Sequence, residues 1–386
     1  MKSILDKQKN TIKTQLKGKS RKKIMAAFIP LFLALVAGCG SSSNSSDIIP
    51  TEIDIKPTLD ETLNAYLNTN IPDDSPGIAI LVIQDDVVIY SGTKGMANKM
   101  LDKPVTTDTG FRIASISKVF TALAIMKLYE SQLLDLTDSI LSYLPELPPS
   151  WGHITLHHLL THQAGIPRYE DHANALSWID GQTNDDVLNF YTLHSELSFV
   201  AGTDAQYSNS AYHLLAEIIS RVSGQTFEDY MMDSFFIPLE MNHSYVADET
   251  TIPRDNDALN FAEFSTFAGN NNFTNGANGV VSSINDLEIF MSKLLSYQIV
   301  KEQTLELMLQ HHTKSLPVLG GADYGYGWIL DTSETDAFSH TGGHDGFRTW
   351  LLINRDQNLK LVILGNGGDL TGDHSFIAEL IRPFLQ

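Results

Sequence analysis

Two residues separated by one helical turn offer the clearest chemistry in the sequence. Ser115 and Lys118 stand at positions i and i+3 of an apolar segment, so on a helix they share one face. A serine hydroxyl is a weak nucleophile until a base accepts its proton, and a lysine whose pKa is lowered by burial can be that base. A helix N-terminus adds N–H groups that stabilise an oxyanion. Because the same spacing is frequent on ordinary helices, the pair alone is weak evidence for a nucleophilic site.

Two further polar motifs raise the expectation of an active site. Tyr207 and Asn209 lie directly before a predicted helix. A tyrosine hydroxyl can relay a proton to a leaving group, and an asparagine amide can orient a substrate amide. The segment His340–Gly343, His-Thr-Gly-Gly, lies between predicted strands, where backbone can run beside a bound substrate and glycines permit close approach.

In this order and with this spacing, the three motifs resemble the serine penicillin-recognising superfamily. That superfamily includes class C β-lactamases, D,D-carboxypeptidases, D-aminopeptidases and β-lactamase-like carboxylesterases. Four local runs agree with it: Phe111–Lys118, Leu159–Pro167, Tyr324–Trp328 and His340–Phe347. The resemblance spans roughly residues 60–386. It implies an α/β fold in which an antiparallel sheet is flanked by helices and carries an inserted helical domain, with neither cofactor nor metal.

The resemblance also implies a role for each residue of the three motifs. Ser115 is the acylated nucleophile, Lys118 is its base partner, and Tyr207 passes protons to the leaving group and activates the deacylating water. Whether Lys118 or Tyr207 is the primary base stays open, as it does for lysine in related enzymes. The backbone N–H groups of Ser115 and Gly343 form the oxyanion hole. The other motif residues bind substrate around it: Asn209, His340, Thr341, Gly342.

The third motif departs from the Lys-Thr-Gly of most β-lactamases, because His340 takes the place of the lysine. A permanent positive charge thereby becomes a titratable one. If His340 binds a substrate carboxylate as an imidazolium ion, affinity for acidic substrates falls as pH rises through its pKa. The replacement argues against efficient β-lactam hydrolysis and leaves peptidase or esterase activity open.

The leading hypothesis is therefore a serine hydrolase that acts on a small amide or ester, in the manner of a D,D-carboxypeptidase, D-aminopeptidase or esterase. A class C-type β-lactamase and a catalytically silent penicillin- or peptidoglycan-binding module are the alternatives. A metallohydrolase is a more distant one. His158 and His162 have the i, i+4 spacing of a zinc site, but Leu159 follows His158 where a zincin has glutamate.

Hydrophobic periodicity predicts the elements that position these motifs. A helix over Ser115–Ser131 is apolar nearly all round, which is typical of a buried helix. The Asn/Gly-rich segment Gly269–Gly279 is predicted to be a loop that either rims the site or lies mobile on the surface. The sheet domain is expected at 58–131 and 280–386, and the helical domain at 132–279. The other predicted helices are Ser210–Ser223, one capped by Ser282 or Ser283, and Ser375–Leu385; the strands are Ile78–Gln84, Val87–Tyr90, Tyr324–Asp331, Thr349–Asn354 and Leu359–Gly365.

The composition excludes several classes of protein. The 386 residues contain one cysteine, which excludes an internal disulfide framework and Cys-rich metal sites. Lys and Arg number 26 against 46 Asp and Glu, a net charge of −20 that argues against nucleic acid as a partner. The hydrophobic content of 42% is ordinary for a folded globular chain.

The N-terminus is predicted to be an export signal. Residues 1–38 carry nine Lys and Arg with one acid, and they end in an uncharged apolar run of 14 residues, Ile24–Ala37. This run is too short to span a bilayer and fits a signal peptide. Val36–Cys39 resembles the lipobox of bacterial lipoproteins, in which Cys39 carries the lipid, and a Gly/Ser-rich tether over 39–57 follows. We therefore expect an exported bacterial lipoprotein that faces the periplasm or cell exterior; a plain signal peptide with a chance cysteine is the alternative.

Overall fold

Among the residues that the structure describes, eight antiparallel strands form the central sheet. The computed structural model describes residues 57–169, 183–247, 253–260, 274–331, 335–344 and 346–367, with Ile381 and Phe384. In spatial order the strands are β2 (Val87–Lys94), β1 (Ile78–Gln84), β13 (Leu359–Gly365), β12 (Phe347–Asn354), β11 (Ala337–His344), β10 (Ile329–Leu330), β9 (Ala322–Tyr324) and β8 (Thr313–Leu316). Short strands pair outside it: β3 (Met96–Asn98) with β4 (Lys103–Pro104), and β7 (Val280–Ser282) between β5 (Phe111–Arg112) and β6 (Tyr245–Val246).

The described helices cover both faces of this sheet. They are α1 (Leu59–Asn70), α2 (Ser117–Glu130), α3 (Leu156–Leu160), α4 (Asn184–Leu193), α5 (Asn209–Ser223), α6 (Phe227–Met231), α7 (Ile284–Leu295) and α8 (Glu302–Met308). Side chains alternate between the two faces of β1, as strand geometry requires. One set (Ile78, Ile80, Val82) packs with α1, and the other (Ala79, Leu81, Ile83) joins the larger core that contains α2 and α7. Burial on both faces explains why β1 has the continuous apolar run Ile-Ala-Ile-Leu-Val-Ile.

Helix α2 is buried nearly all round, as the sequence predicted. Its α-helical turns begin at Ser117, two residues later than predicted, because Ala114–Ile116 forms a 3₁₀ turn. Ala114 has a φ of 50°, a left-handed conformation that a regular helix does not contain. Ser115 therefore lies on a tight turn that leads into the helix rather than within its first α-helical turn.

The predicted elements near the site are largely confirmed, with one correction. The hairpin of β1 and β2 and the helix α5, with Gly224 at its C-terminus, lie where the sequence placed them, and Ser283 caps α7. The predicted single strand Tyr324–Asp331 is wrong, because a tight turn divides it into β9 and β10. Gly325 N–H donates to the carbonyl of Trp328 across this turn at 2.9 Å.

Several expectations fall outside the described residues. These are the leader 1–38, the lipobox cysteine Cys39, residues 40–56 of the tether, and most of the helix Ser375–Leu385. No helix in the described part of the chain combines the length and apolarity needed to cross a membrane. The domain boundaries at 131/132 and 279/280 stay predictions.

Candidate active site

The 3₁₀ turn that carries Ser115 is held on two sides by hydrogen bonds to the backbone of Ile113. Ile113 N–H donates to the carbonyl of Val280 in β7 at 3.0 Å. The Ile113 carbonyl accepts from the Thr349 hydroxyl of β12 at 2.8 Å. The turn thus lies between a short strand and the central sheet, with Ser115 half-buried at its apex.

Lys118 is fully buried, and its amine nitrogen lies at the centre of a small polar network. Nζ lies 3.1 Å from Ser115 Oγ, 2.9 Å from Asn209 Oδ1 and 2.8 Å from the carbonyl oxygen of Ala277. These acceptors satisfy the three N–H groups of an ammonium ion. They equally suit a neutral amine, which would donate to Asn209 and Ala277 and present its lone pair to the serine hydroxyl.

Tyr207 approaches Ser115 from the loop before α5. The Ser208 hydroxyl accepts from Ala211 N–H at 3.3 Å and caps the helix, which fixes its two neighbours in the motif. Burial raises the pKa of the Tyr207 hydroxyl well above its ordinary value; its hydrogen bond with Ser115 and the positive charge of Arg168 only partly offset this. Tyr207 is therefore a neutral phenol at physiological pH, suited to donating a proton.

The His-Thr-Gly-Gly motif forms the end of β11 and passes directly beside the serine turn. A Cβ atom on Gly342 would lie 2.3 Å from the Ile113 carbonyl oxygen and 3.1 Å from Ala114 Cβ, so only glycine permits this approach. Thr341 and Gly343 are exposed. The motif is therefore part of a strand that the sequence did not predict, rather than lying between strands, and this strand brings its backbone beside Ser115.

The Asn/Gly-rich segment turns out to support the lysine rather than to rim the site. Its described part, 274–279, is mostly buried between α2 and α5. Thr121 Oγ1 donates to the Gly276 carbonyl at 2.7 Å, and the next carbonyl, that of Ala277, accepts from Lys118. Gly276 has a φ of 91°, and a Cβ there would lie 2.3 Å from the Tyr212 carbonyl oxygen. The expectation of a mobile surface loop is wrong for these residues.

The comparisons agree with this geometry. Residues 68–386 match the family model described as Beta-lactamase. The chain belongs to the β-lactamase family. This confirms the resemblance on which the motifs were interpreted.

Individual proteins are similar to this chain at modest identity. Protein flp of Staphylococcus aureus (strain MW2) is 28% identical over 306 residues, which are 75% of this chain and 59% of that protein. Penicillin-binding protein 4* of Bacillus subtilis (strain 168) is 28% identical over 313 residues, which are 74% of this chain and 67% of that protein. The octameric penicillin-binding protein homologue from Pyrococcus abyssi superimposes with a TM-score of 0.70 at 27% identity, covering 85% of this chain and 76% of that one.

His340 does not behave as the titratable cation that the sequence suggested for this family member. Burial lowers its pKa to about 3, and the charge of Lys118 acts in the same direction. Its Nδ1 donates to the carbonyl oxygen of Thr341 at 2.7 Å, and its Nε2 accepts from the Tyr324 hydroxyl at 3.1 Å. His340 is thus a neutral imidazole with both nitrogens engaged, which argues against carboxylate binding by an imidazolium ion there.

His162 is a site residue that the motifs did not single out. Its Nδ1 accepts from Ser208 N–H at 3.2 Å, beside the Tyr207 motif. Its ring lies 4.4 Å from that of Tyr207 and 4.7 Å from that of Tyr324, centroid to centroid. His162 and Tyr324 both stand in local runs that carried the family resemblance; the i, i+4 spacing of His162 with His158 pointed to a metal and not to this position.

The histidine pair considered for a metal has other partners. His158 Nδ1 accepts from Thr155 N–H at 3.2 Å and completes the capping box of α3. His162 lies beyond the end of that helix with a φ of 62°. Within the described ranges, no cluster of three or more His, Cys, Asp or Glu side chains is arranged to hold a metal ion.

Proposed function

We propose that the protein is a serine hydrolase that cleaves a small amide or ester, of the D,D-peptide or D-amino-acid type, through an acyl-enzyme on Ser115. The observation that carries the proposal is the position of Lys118 Nζ, 3.1 Å from Ser115 Oγ. That distance is within the reach required of a general base. Penicillin-binding proteins among the relatives support the choice of substrate class.

In this mechanism a neutral Lys118 accepts the serine proton while Asn209 and the Ala277 carbonyl hold its two N–H groups. Serine oxygen forms a bond to the substrate carbonyl carbon, and the negative charge develops on the carbonyl oxygen, toward the N–H groups of Ser115 and Gly343. Tyr207 gives its proton to the departing amine or alcohol, and Lys118 returns a proton to the tyrosine. Water then attacks the carbonyl carbon of the acyl-enzyme ester, while its proton passes to Tyr207 and the tyrosine's own proton passes to Lys118. The bond to Ser115 Oγ breaks, and Lys118 returns the proton to the serine.

Labelling with a fluorophosphonate tests the nucleophile. We expect the wild-type protein to be labelled and Ser115→Ala to be blank; equal labelling would contradict the assignment. Lys118→Ala should lose labelling by the general-base factor, about 100-fold or more. Turnover of D-alanyl-D-alanine peptides, p-nitrophenyl esters and nitrocefin then separates the substrate classes.

A β-lactamase is the less favoured candidate, because the lysine of the third motif is replaced by a neutral, buried His340. A silent binding module is less favoured as well, since ligand binding alone does not require Ser115, Lys118 and Tyr207 in mutual contact. Nitrocefin turnover faster than peptide or ester turnover would reverse the first preference. Tight ligand binding with no turnover of any substrate would reverse the second.

The cellular location of the protein is likewise a proposal. The basic leader and the lipobox-like Val36–Cys39 support an exported protein anchored to a membrane by lipid on Cys39. Detergent phase partition of the wild type and Cys39→Ser tests this. The wild type should enter the detergent phase and the variant should not; identical partition would refute the anchor.

A further inference from the structure

Three contacts from one residue, His162, hold the segment that carries Tyr207. The His162 carbonyl accepts from Gln206 N–H at 2.9 Å, and its Nδ1 accepts from Ser208 N–H at 3.2 Å. The backbone donors on either side of Tyr207 therefore both bind His162. The His162 ring also packs against the Tyr207 ring, with 4.4 Å between the two centroids.

His162 makes these contacts from an uncommon backbone conformation. Its φ of 62° lies in the left-handed region, which few residues other than glycine adopt. In this conformation the carbonyl and the ring of a single residue both meet the segment 206–208. Backbone conformations of this kind persist where the surrounding structure fixes them, and they are concentrated at functional sites.

His162 is itself anchored to the rest of the fold. Its N–H donates to the carbonyl of Leu159 in α3 at 3.3 Å. The preceding carbonyl, that of Thr161, accepts from the Thr313 hydroxyl of β8 at 2.6 Å. Through His162, the position of Tyr207 is therefore tied to a helix and to the central sheet.

The hydrogen bond from Ser208 requires a neutral imidazole, because Nδ1 accepts only when it carries no proton. Burial lowers the pKa of His162 well below its ordinary value, and the charge of Lys118 acts in the same direction. The ring proton is then on Nε2, which is buried and has no hydrogen-bond partner among the described residues. A buried donor without an acceptor destabilises a fold, which suits a side chain retained for its contact at Nδ1.

We propose that His162 is a positioning residue that holds Tyr207 where it can give its proton to the departing group. The inference rests on the proposed function, in which Tyr207 is that proton donor. It gives His162 an effect on one event, the departure of leaving groups that need a proton. Leaving groups that depart as stable anions should depend on His162 far less.

Two esters of one acid test the proposal. N-Acetyl-D-alanine p-nitrophenyl ester releases a stabilised phenolate, whereas the ethyl ester releases an alkoxide that must be protonated. His162→Gly removes the ring but keeps the carbonyl and tolerates a φ of 62°. We expect it to lower kcat/KM for the ethyl ester by about 10–100-fold, as for a misplaced general acid. It should lower that for the p-nitrophenyl ester far less.

Two further variants serve as the rescue and the control. His162→Asn also tolerates the left-handed region, and its Oδ1 can replace Nδ1 as the acceptor for Ser208 N–H. It should show the same selective loss to a smaller degree, so it tests the proposal even where the glycine variant does not fold. His158→Ala removes an Nδ1 that accepts from Thr155 N–H, also at 3.2 Å, and should leave the ratio of the two esters unchanged.

A double-mutant cycle with Tyr207→Phe shows whether His162 acts through the tyrosine. Tyr207→Phe removes the proton donor and sets the largest loss that its misplacement can cause. In that background His162→Gly should cause no further loss on the ethyl ester. Additive losses, or equal losses on the two esters in His162→Gly alone, would indicate a general structural role and overturn the proposal.

Fluorophosphonate labelling separates this inference from the function on which it rests. The fluoride ion departs without a proton, so labelling of the wild type reports the nucleophile. Labelling of Ser115 together with equal losses on the two esters in His162→Gly would overturn the role of His162 and leave the hydrolase assignment intact. No labelling and no turnover of either ester by the wild type would overturn both.

Discussion

Gly342 is the position at which one added methyl group should separate the sheet from the nucleophile. In Gly342→Ala the new Cβ would lie 2.1 Å from Thr349 Oγ1 and 2.3 Å from the carbonyl oxygen of Ile113. The threonine can rotate only by breaking its 2.8 Å hydrogen bond to that same carbonyl. The Ile113 carbonyl cannot rotate freely either, because it also accepts from Ile116 N–H at 3.2 Å within the 3₁₀ turn. Since ordinary contacts begin at 3.4 Å, β11 and the serine turn must move apart by about 1 Å.

The size of the effect follows from this displacement. Overpacking of a core by one methyl group costs about 1–3 kcal/mol of unfolding free energy. For a domain that spans residues 56–386 each kcal/mol lowers Tm by about 1–2 °C. The loss of activity should be larger than the loss of stability, because a misplacement of about 1 Å between reacting groups lowers the rate about 100-fold. We therefore expect a Tm lower by several degrees and fluorophosphonate labelling about 100-fold slower.

Gly343→Ala is the matched control for this experiment. A Cβ at Gly343 meets nothing closer than Arg348 Nη1 at 3.7 Å, an ordinary contact, and the substitution retains the backbone N–H. We expect its effect on stability to stay within about 0.5 kcal/mol. Scanning fluorimetry and labelling kinetics measure both variants. Wild-type behaviour of Gly342→Ala, or an equal loss in Gly343→Ala, would refute the close-packing argument.

Two other predictions concern the support of the site. Thr121→Val keeps the side-chain volume but removes the donor to the buried Gly276 carbonyl, so we expect a loss of about 1–3 kcal/mol in urea unfolding; an unchanged midpoint would contradict it. Burial lowers the pKa of His162, and the pKa values of His213 and His340 fall to about 3. These histidines bind protons readily only in the unfolded chain, so their contribution to stability should be complete above pH 6.5. For His213 and His340 that contribution should fall between pH 6.5 and about 3, by up to about 1.4 kcal/mol per pH unit each. Urea midpoints at pH 7.5 and 5 measure the loss, and His213→Gln should make it shallower.

Local sequence patterns were sufficient to predict several of the elements that carry the site. The apolar run of β1, the all-round apolar α2 and the apolar stripe of α5 are each specified by neighbouring residues. The i, i+3 spacing also predicted the contact of Ser115 with Lys118. That contact survives the unpredicted 3₁₀ turn, because the turn still places the serine one turn before the lysine.

Backbone groups from distant segments account for what the sequence did not reveal. The Ala277 carbonyl that contacts Lys118 belongs to a residue 159 positions away, and a carbonyl has no side-chain signature. The carbonyl of Ile113, which excludes any side chain at Gly342, is equally invisible in the sequence. The pattern of the Asn/Gly segment indicated only that its backbone would be irregular, and it did not distinguish an exposed loop from a buried one.

His340 shows how burial can reverse a conclusion drawn from residue type. Histidine in place of lysine suggested a cation that titrates near neutral pH. The side chain is instead buried, 3.1 Å from the Tyr324 hydroxyl and close enough to Lys118 for that charge to oppose its protonation. An imidazolium at this position would be a second buried positive charge beside Lys118 once the lysine has accepted the serine proton. A neutral imidazole avoids that cost. Recognition of an acidic substrate therefore does not rest on an imidazolium ion at His340.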